Sequence, residues 1–207
     1  MSARPIRFSG PMVRALLDGR KSQTRRIAKL TAGGHVKEPS GNRRWHPRDP
    51  DAVLACPYGQ PGDLLWVQEA WNVTHRADLA PGETIERTAS QCRDANSGFA
   101  CACADGVVYA ATGAQKHPTH GAAIWRQSNH MPRWASRLTL RITRVRLERL
   151  CGITDADAWA EGYSSASAFL AGDWADPFAD RNPYVWVLEF ESIATNVNAV
   201  MRAQEPA

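Results

Sequence analysis

The sequence has no long hydrophobic run. Nowhere do its apolar residues approach the eighteen or so in succession that a membrane-spanning helix needs. Its opening, MSARPIRFSG, holds no apolar core of the kind a secretory signal carries, so a cytoplasmic setting without a membrane is expected. Cysteines number only five, an odd count, which in that setting predicts reduced thiols rather than a disulfide framework. No segment repeats and no clean domain boundary shows, so a repeat architecture is not expected. Standard zinc-finger spacing is also missing. Cys92, Cys101 and Cys103, with His117 and His120, give C-x-C and H-x-x-H steps within a small-residue stretch. The expectation is therefore no metal and no cofactor, with a structural zinc at these residues as the alternative.

What is present suits one sizeable core: 207 residues, 43% hydrophobic and 22% charged. Net charge is +4 but unevenly spread. From Cys151 onward there are nine acidic and two basic residues, a balance of −7, and the 23 basic and 12 acidic residues before it give +11. Such asymmetry suits a basic face turned to a polyanion, RNA among them, or simply a set of solvated surfaces.

Residues 4–9 predict a short strand entering a helix, with Ser9 or Gly10 as cap and Pro11 at the first helical position. Met12, Val13, Leu16 and Leu17 form its apolar stripe, and Gly19 ends it. The basic run that follows is expected on a tight turn or one further helical turn. Residues 31–63 are rich in Gly, Pro and Arg and predict a long loop, closed by the turn signals of CPYGQPGD. LLWVQEAW predicts a strand, residues 76–105 a second polar insertion, and VVYAAT a short strand. In RLTLRITRVRLERL, Leu138, Leu140 and Ile142 alternate with polar residues, and the apolar phase then slips to Val145 and Leu147. Such a slip predicts a bulge, the device that lets a sheet curl. Thr154 is placed to cap a helix through TDADAWAEGY, with Asp155 and Asp157 in its first turn and Gly162 at its end. YVWVLEFE predicts the last strand, and the tail from Ser192 is either a short helix or disordered. The expected fold is α+β, a small mixed β-barrel with flanking helices and long loop insertions, as one domain over residues 1–191.

Three residues draw attention for their chemistry. On a helical turn Lys21 and Thr24, three apart, project to one side, and a lysine made neutral by burial can act as base toward a hydroxyl. The plainer alternative is a solvated helix end. Glu69 shares the strand side of Leu65, Val67 and Trp71, and a carboxylate on an interior face must be paired, protonated or functional. HMPRWASR adds Trp134, placed to stack on a base or to fill a core, with Arg133 and Arg137 for phosphate or a base edge, and His130 as a hydrogen-bond partner. Arg141, Arg144 and Arg146 form a basic strand face, solvated or tracking RNA.

GRKSQTRR has the order G-x-K-x-x-T-x-R, and with GDLLWVQEAW after it the chain resembles the ASCH domain, a family of the PUA-like superfamily of small β-barrels associated with RNA. The likeness runs from PIRFSGPMVRALLDGRKSQTRR through HMPRWASRLTLRITRVRLERL to NPYVWVLEFE, and the layout is similar to ASCH proteins often found in phages and prophages. The resemblance implies an amidohydrolase that removes the acyl group from N4-acetylcytidine, with Lys21, Thr24 and Glu69 as its centre. In the mechanism expected on these residues Arg26 or backbone N–H groups hold the oxyanion, while Arg25, Arg133, Trp134 and Arg137 contact a nucleoside or RNA-derived small molecule. The chain is considerably longer than the minimal enzymes of that kind. The alternative is therefore a non-catalytic binder of RNA or a modified nucleobase, such as a phage accessory protein.

Overall fold

The structure, a computed structural model, describes residues 2–39, 41–74, 87–88, 106–112, 125–172, 174 and 181–204. The fold is α+β with a mixed sheet. Strand β1 (Ala3–Arg7) leads into helix α1 (Gly10–Leu17), followed by β2 (Gln23–Ile27), β3 (Val36–Lys37) and β4 (Arg44–Trp45). Next come a 3-10 helix (Pro50–Ala55), β5 (Leu64–Gln68), β6 (Trp71–Thr74), β7 (Arg87–Thr88), β8 (Gly106–Tyr109) and β9 (Thr139–Arg149). Helices α2 (Asp155–Glu161) and α3 (Ala166–Ala171), strand β10 (Tyr184–Ile193) and helix α4 (Val197–Arg202) complete it. One sheet has the order β1-β5-β9-β10-β2, another pairs β3 with β4, and a third runs β6-β8-β7. Among the described residues the five-stranded order runs between two end strands and no closed barrel is found.

The chain forms two compact units, each built from three segments. The first comprises Met1–Arg4, Ala15–Leu65 and Leu140–Ile193. Its α2–α3 layer packs Leu150, Ile153, Ala158 and Phe169 on Val185 and Val187 of β10. Thr154 caps α2 as its sequence predicts, in a capping box with Asp157, and Gly162 closes it at φ 93°. An added Cβ at Gly162 would lie 3.4 Å from the Ala15 Cβ, so both backbone angle and space favour glycine there. The turn before β5 is held by Asp63, which accepts from the Ser2 and Gln60 N–H groups and pairs with Arg4. Burial works against its ionisation, yet these donors hold its carboxyl below the usual range.

The second unit comprises Pro5–Arg14, Trp66–Thr139 and Ala194–Ala207. Its core joins Trp71, Val107, Tyr109, Met131, Trp134 and Ala135. The Trp71 and Trp134 rings meet edge-on at 5.9 Å, an arrangement worth about 0.5–1.5 kcal/mol beyond its buried area. Asn196 caps α4 through Asn198 N–H, and its amide donates to the carbonyls of Arg133 and Ser136, tying the tail to the HMPRWASR segment.

Several expectations change. QTRRI is an extended strand, not a helical turn, because Gly19 ends α1 at φ 70° and residues 23–27 find an antiparallel partner in residues 185–189. Residues 31–63 are not wholly loop, since they carry the β3–β4 hairpin and a 3-10 helix capped by Asp49. LLWVQEAW is two strands, broken at Glu69 and Ala70. The tail forms a helix over Val197–Arg202, the first of its two alternatives. The phase slip in β9 is visible as two successive exposed residues, Thr143 and Arg144, between buried Ile142 and Val145. Most of the 76–105 insertion, and with it Cys92, Cys101, Cys103, His117 and His120, lies outside the described residues. Among the described residues no group of His, Cys, Asp and Glu is placed to hold a metal, and no helix is long and apolar enough to cross a membrane.

Candidate functional site

Strand β2 presents its residues alternately to two sides, and the motif is divided accordingly. Gln23 and Arg25 meet a network of charges. The Lys21 ammonium, from the residues leading into the strand, reaches the same network, where Nζ donates to the Glu161 carboxylate at 2.7 Å and to the Glu161 carbonyl at 2.9 Å. Arg25 Nη1 lies 3.3 Å from the other Glu161 oxygen, and its Nη2 lies 3.2 Å from Asp157 and 3.7 Å from Glu148. Arg146 pairs with Glu148, Asp157 and Glu189 and donates to the Gln23 amide oxygen. The Arg25 guanidinium also stands 5.8 Å from the Phe169 ring centroid. Lys21, Arg25 and Arg146 therefore face Glu148, Asp157, Glu161 and Glu189, three cations against four carboxylates.

Lys21 and Arg25 are both 1% exposed. Burial raises the Glu161 carboxyl above its ordinary range in spite of the Lys21 and Arg25 charges, because taking a carboxylate out of water costs more than these neighbours return. Asp157 goes the other way. Burial opposes its ionisation, but Thr154 and Arg146 donate to it and hold it well below the usual carboxylate range.

Thr24 is wholly buried and on the opposite side of the strand from Arg25. Its Oγ1 accepts from Arg26 Nη1 at 2.9 Å, and the same nitrogen donates to the Arg25 carbonyl at 3.0 Å. Across the ladder Thr24 lies opposite Leu188, and Arg26 opposite Trp186. Arg20, which the sequence placed among the cations around Lys21, is exposed and paired with Asp18.

Glu69 belongs to the second unit and is 1% exposed. Arg137 grips it through two parallel bonds, Nε to Oε1 and Nη2 to Oε2, each 2.9 Å. This fork-on-fork geometry is the strongest pairing a carboxylate finds in a protein. The Arg137 guanidinium also donates to Thr112 and stands 4.1 Å over the Tyr109 ring. The Glu69 N–H points at the Met131 sulfur, and the neighbouring Gln68 amide donates to the Met131 carbonyl.

The remaining sequence-predicted residues are spread. Trp134 is 6% exposed and packs in the core of the second unit. Arg133 directs Nη2 to the Met201 sulfur at 2.7 Å. His130 ends an exposed 3-10 turn. Arg141, Arg144 and Arg146 of β9 are ion-paired rather than bare, Arg141 on Glu191, Arg144 on Glu189 and Arg146 in the network. Glu161, Asp157, Glu148 and Arg146 organise the motif's surroundings; Glu161 and Glu148 were not singled out from the sequence, and Asp157 and Arg146 were read there only as a first-turn acid and as part of a basic strand face. The signal was there in part, because Asp157 and Glu161 are four apart on a capped helix and so share a face.

Against this geometry, no family model, no curated protein and no solved structure matches the chain.

Proposed function

We propose that the chain is an ASCH-type domain over residues 1–191, built on a small PUA-like β-barrel, that removes the acyl group from N4-acylated cytidine or a related nucleoside. One observation carries this. Lys21, Thr24 and Glu69, the three polar types of the motif, are each withdrawn from solvent and each held by one charged neighbour: Glu161, Arg26 and Arg137. Orientation fixed in advance is what acyl transfer asks of its groups.

Thr24 Oγ1 is the nucleophile. The guanidinium of Arg26 beside it favours the alkoxide over the alcohol. Lys21 serves as base only after losing its proton, and the adjacent Glu161, whose carboxyl is raised by burial, is the group to receive it. Attack by Oγ1 on the amide carbonyl requires the Lys21 amine, which here faces the other side of β2 with Arg25, to turn to Thr24 and take its proton, and it gives an acyl-threonine once the C–N bond breaks. The Lys21 ammonium then gives the proton it took to the departing cytosine amine, and Glu69, held as a carboxylate by Arg137, takes one from the water that hydrolyses the ester.

The test is to incubate the protein with N4-acetylcytidine and follow the ultraviolet spectrum, beside Thr24→Ala and Lys21→Ala. Turnover by the wild type and its loss in Thr24→Ala are expected. No turnover at high enzyme concentration sinks the activity, and full turnover in Thr24→Ala sinks the nucleophile. A second reading, a non-catalytic binder of RNA or modified nucleobases of the phage accessory kind, is favoured by the 2.7 Å Lys21–Glu161 pair, which stabilises a lysine with no basic lone pair. Under that reading nucleoside binding persists without turnover in wild type and Thr24→Ala alike.

A further inference from the structure

We propose that a groove in the first unit, bordered by the β3–β4 hairpin, binds an aromatic phosphate of mononucleotide size, with its ring on an apolar floor and its phosphate met by Lys29 and Lys37. The groove encloses about 370 Å³, within the range of small-ligand pockets. It is lined by residues from the end of β2, the hairpin, the 3-10 helix, the Pro57-Tyr58 turn and β10. This proposal does not depend on the acyl-transfer chemistry of Lys21, Thr24 and Glu69.

Three observations point to that ligand class. First, of the nine lining residues seven are apolar or aromatic, two are lysines and none is acidic. An anion therefore meets two positive charges and no opposing one, beside low-dielectric walls that lengthen the reach of the field. Second, several cations of this unit are matched by carboxylates, Arg4 by Asp63, Arg20 by Asp18, Lys21 by Glu161 and Arg141 by Glu191. Lys29 and Lys37 are exposed and have no carboxylate within ion-pair distance among the described residues. Two unmatched ammonium groups over one apolar floor suit a compact dianion with an apolar body. Lysine lacks the planar fork that selects carboxylates, so phosphate is the better fit.

Third, the walls are flat and fixed. Pro39 and Pro57 have locked backbones, and Tyr58 and Trp186 contribute aromatic surface. The hairpin is registered by Val36 opposite Trp45 and by Glu38 N–H donating to the Arg43 carbonyl. The turn is secured by Gly59 N–H on the Cys56 carbonyl and by Arg4 on the Tyr58 carbonyl. Apart from the two exposed lysines, little side-chain or loop ordering is left to oppose binding, which favours a small, rigid ring.

The experiment is calorimetric titration of the full chain at low ionic strength with cytidine 5′-monophosphate and adenosine 5′-monophosphate, beside cytidine and inorganic phosphate. Both nucleotides are expected to bind, more tightly than either half alone. Lys29→Ala and Lys37→Ala should each weaken the nucleotides about fivefold, and the double variant about twenty-five-fold if the two act independently. Tyr58→Ala should weaken the nucleotides while leaving inorganic phosphate unchanged. The proposal is overturned if the nucleotides show no binding at millimolar concentration. It is equally overturned if the double lysine variant binds them as wild type does, which would place the nucleotide elsewhere. These substitutions leave Lys21, Thr24 and Glu69 intact, so their outcome is separate from that of the deacylation assay.

Discussion

Replacing Glu161 by glutamine tests whether the charges around strand β2 act as one unit. In the native protein Lys21 and Arg25 are buried and share the two oxygens of this carboxylate, at 2.7 Å and 3.3 Å. Glutamine keeps the length and one acceptor but removes the negative charge. Arg25 keeps Asp157 at 3.2 Å and Glu148 at 3.7 Å, whereas in this network Lys21 keeps the Glu161 carbonyl at 2.9 Å. Breaking a buried pair from one side costs about 3–5 kcal/mol, because the partner is left as an uncompensated charge. The retained carbonyl puts the expectation at the lower end, about 3 kcal/mol. For a chain of this size that lowers the melting temperature by about 6–12 °C. The assay is urea unfolding followed by circular dichroism, with Lys21→Met and the double variant completing the cycle. Lys21→Met alone should also destabilise, and the double variant should recover most of the loss since no charge is then stranded. A Glu161→Gln protein within 1 kcal/mol of wild type, or strictly additive single effects, would refute the argument.

Other outcomes follow from individual groups. Asp157 is held below its unfolded value, so its contribution is complete above about pH 4 and is lost as pH falls through its folded value. Urea unfolding between pH 6 and 2 should show wild type losing stability on acidification with a steeper slope than Asp157→Asn. Burial pushes the Cys56 thiol up to about 11 against the hydrogen bonds of the Tyr58 and Gly59 N–H groups. A thiol reagent at pH 8, read by peptide mass spectrometry, should label exposed Cys151 quickly and Cys56 only after unfolding. Thr154→Ala removes the cap from α2 and should cost about 1 kcal/mol. Gly162→Ala, at φ 93° and with Ala15 close by, should cost about 1–2 kcal/mol in the same unfolding assay.

Local signals were the ones the sequence carried well. The α2 helix could be read from Thr154 to Gly162 because cap, first-turn acids and terminal glycine all lie within nine residues. The β9 phase slip was equally readable, since period two is a property of a single strand. The extended state of the motif, expected on a tight turn or a helical turn, was illegible for the complementary reason. QTRRI has no internal preference strong enough to decide, and its state is set by β10, which lies far along the chain. Glu69 was expected inside and is inside, but its partner Arg137 could not be chosen among so many arginines. The Lys21–Glu161 pair was illegible for the same reason, as it joins residues 140 apart.

That separation also has a consequence in time. Strand β2 is synthesised well before its ladder partner at residues 185–189. At roughly 5–20 residues per second, β2 waits on the order of ten to thirty seconds on a ribosome before it can pair. Through that interval a segment with three arginines and a lysine lies uncommitted, without the carboxylates of α2 that later neutralise it. Chains halted before α2 would release this cationic segment without those carboxylates, and such truncation should be felt at β2 as retention on ribosomal RNA rather than as simple unfolding.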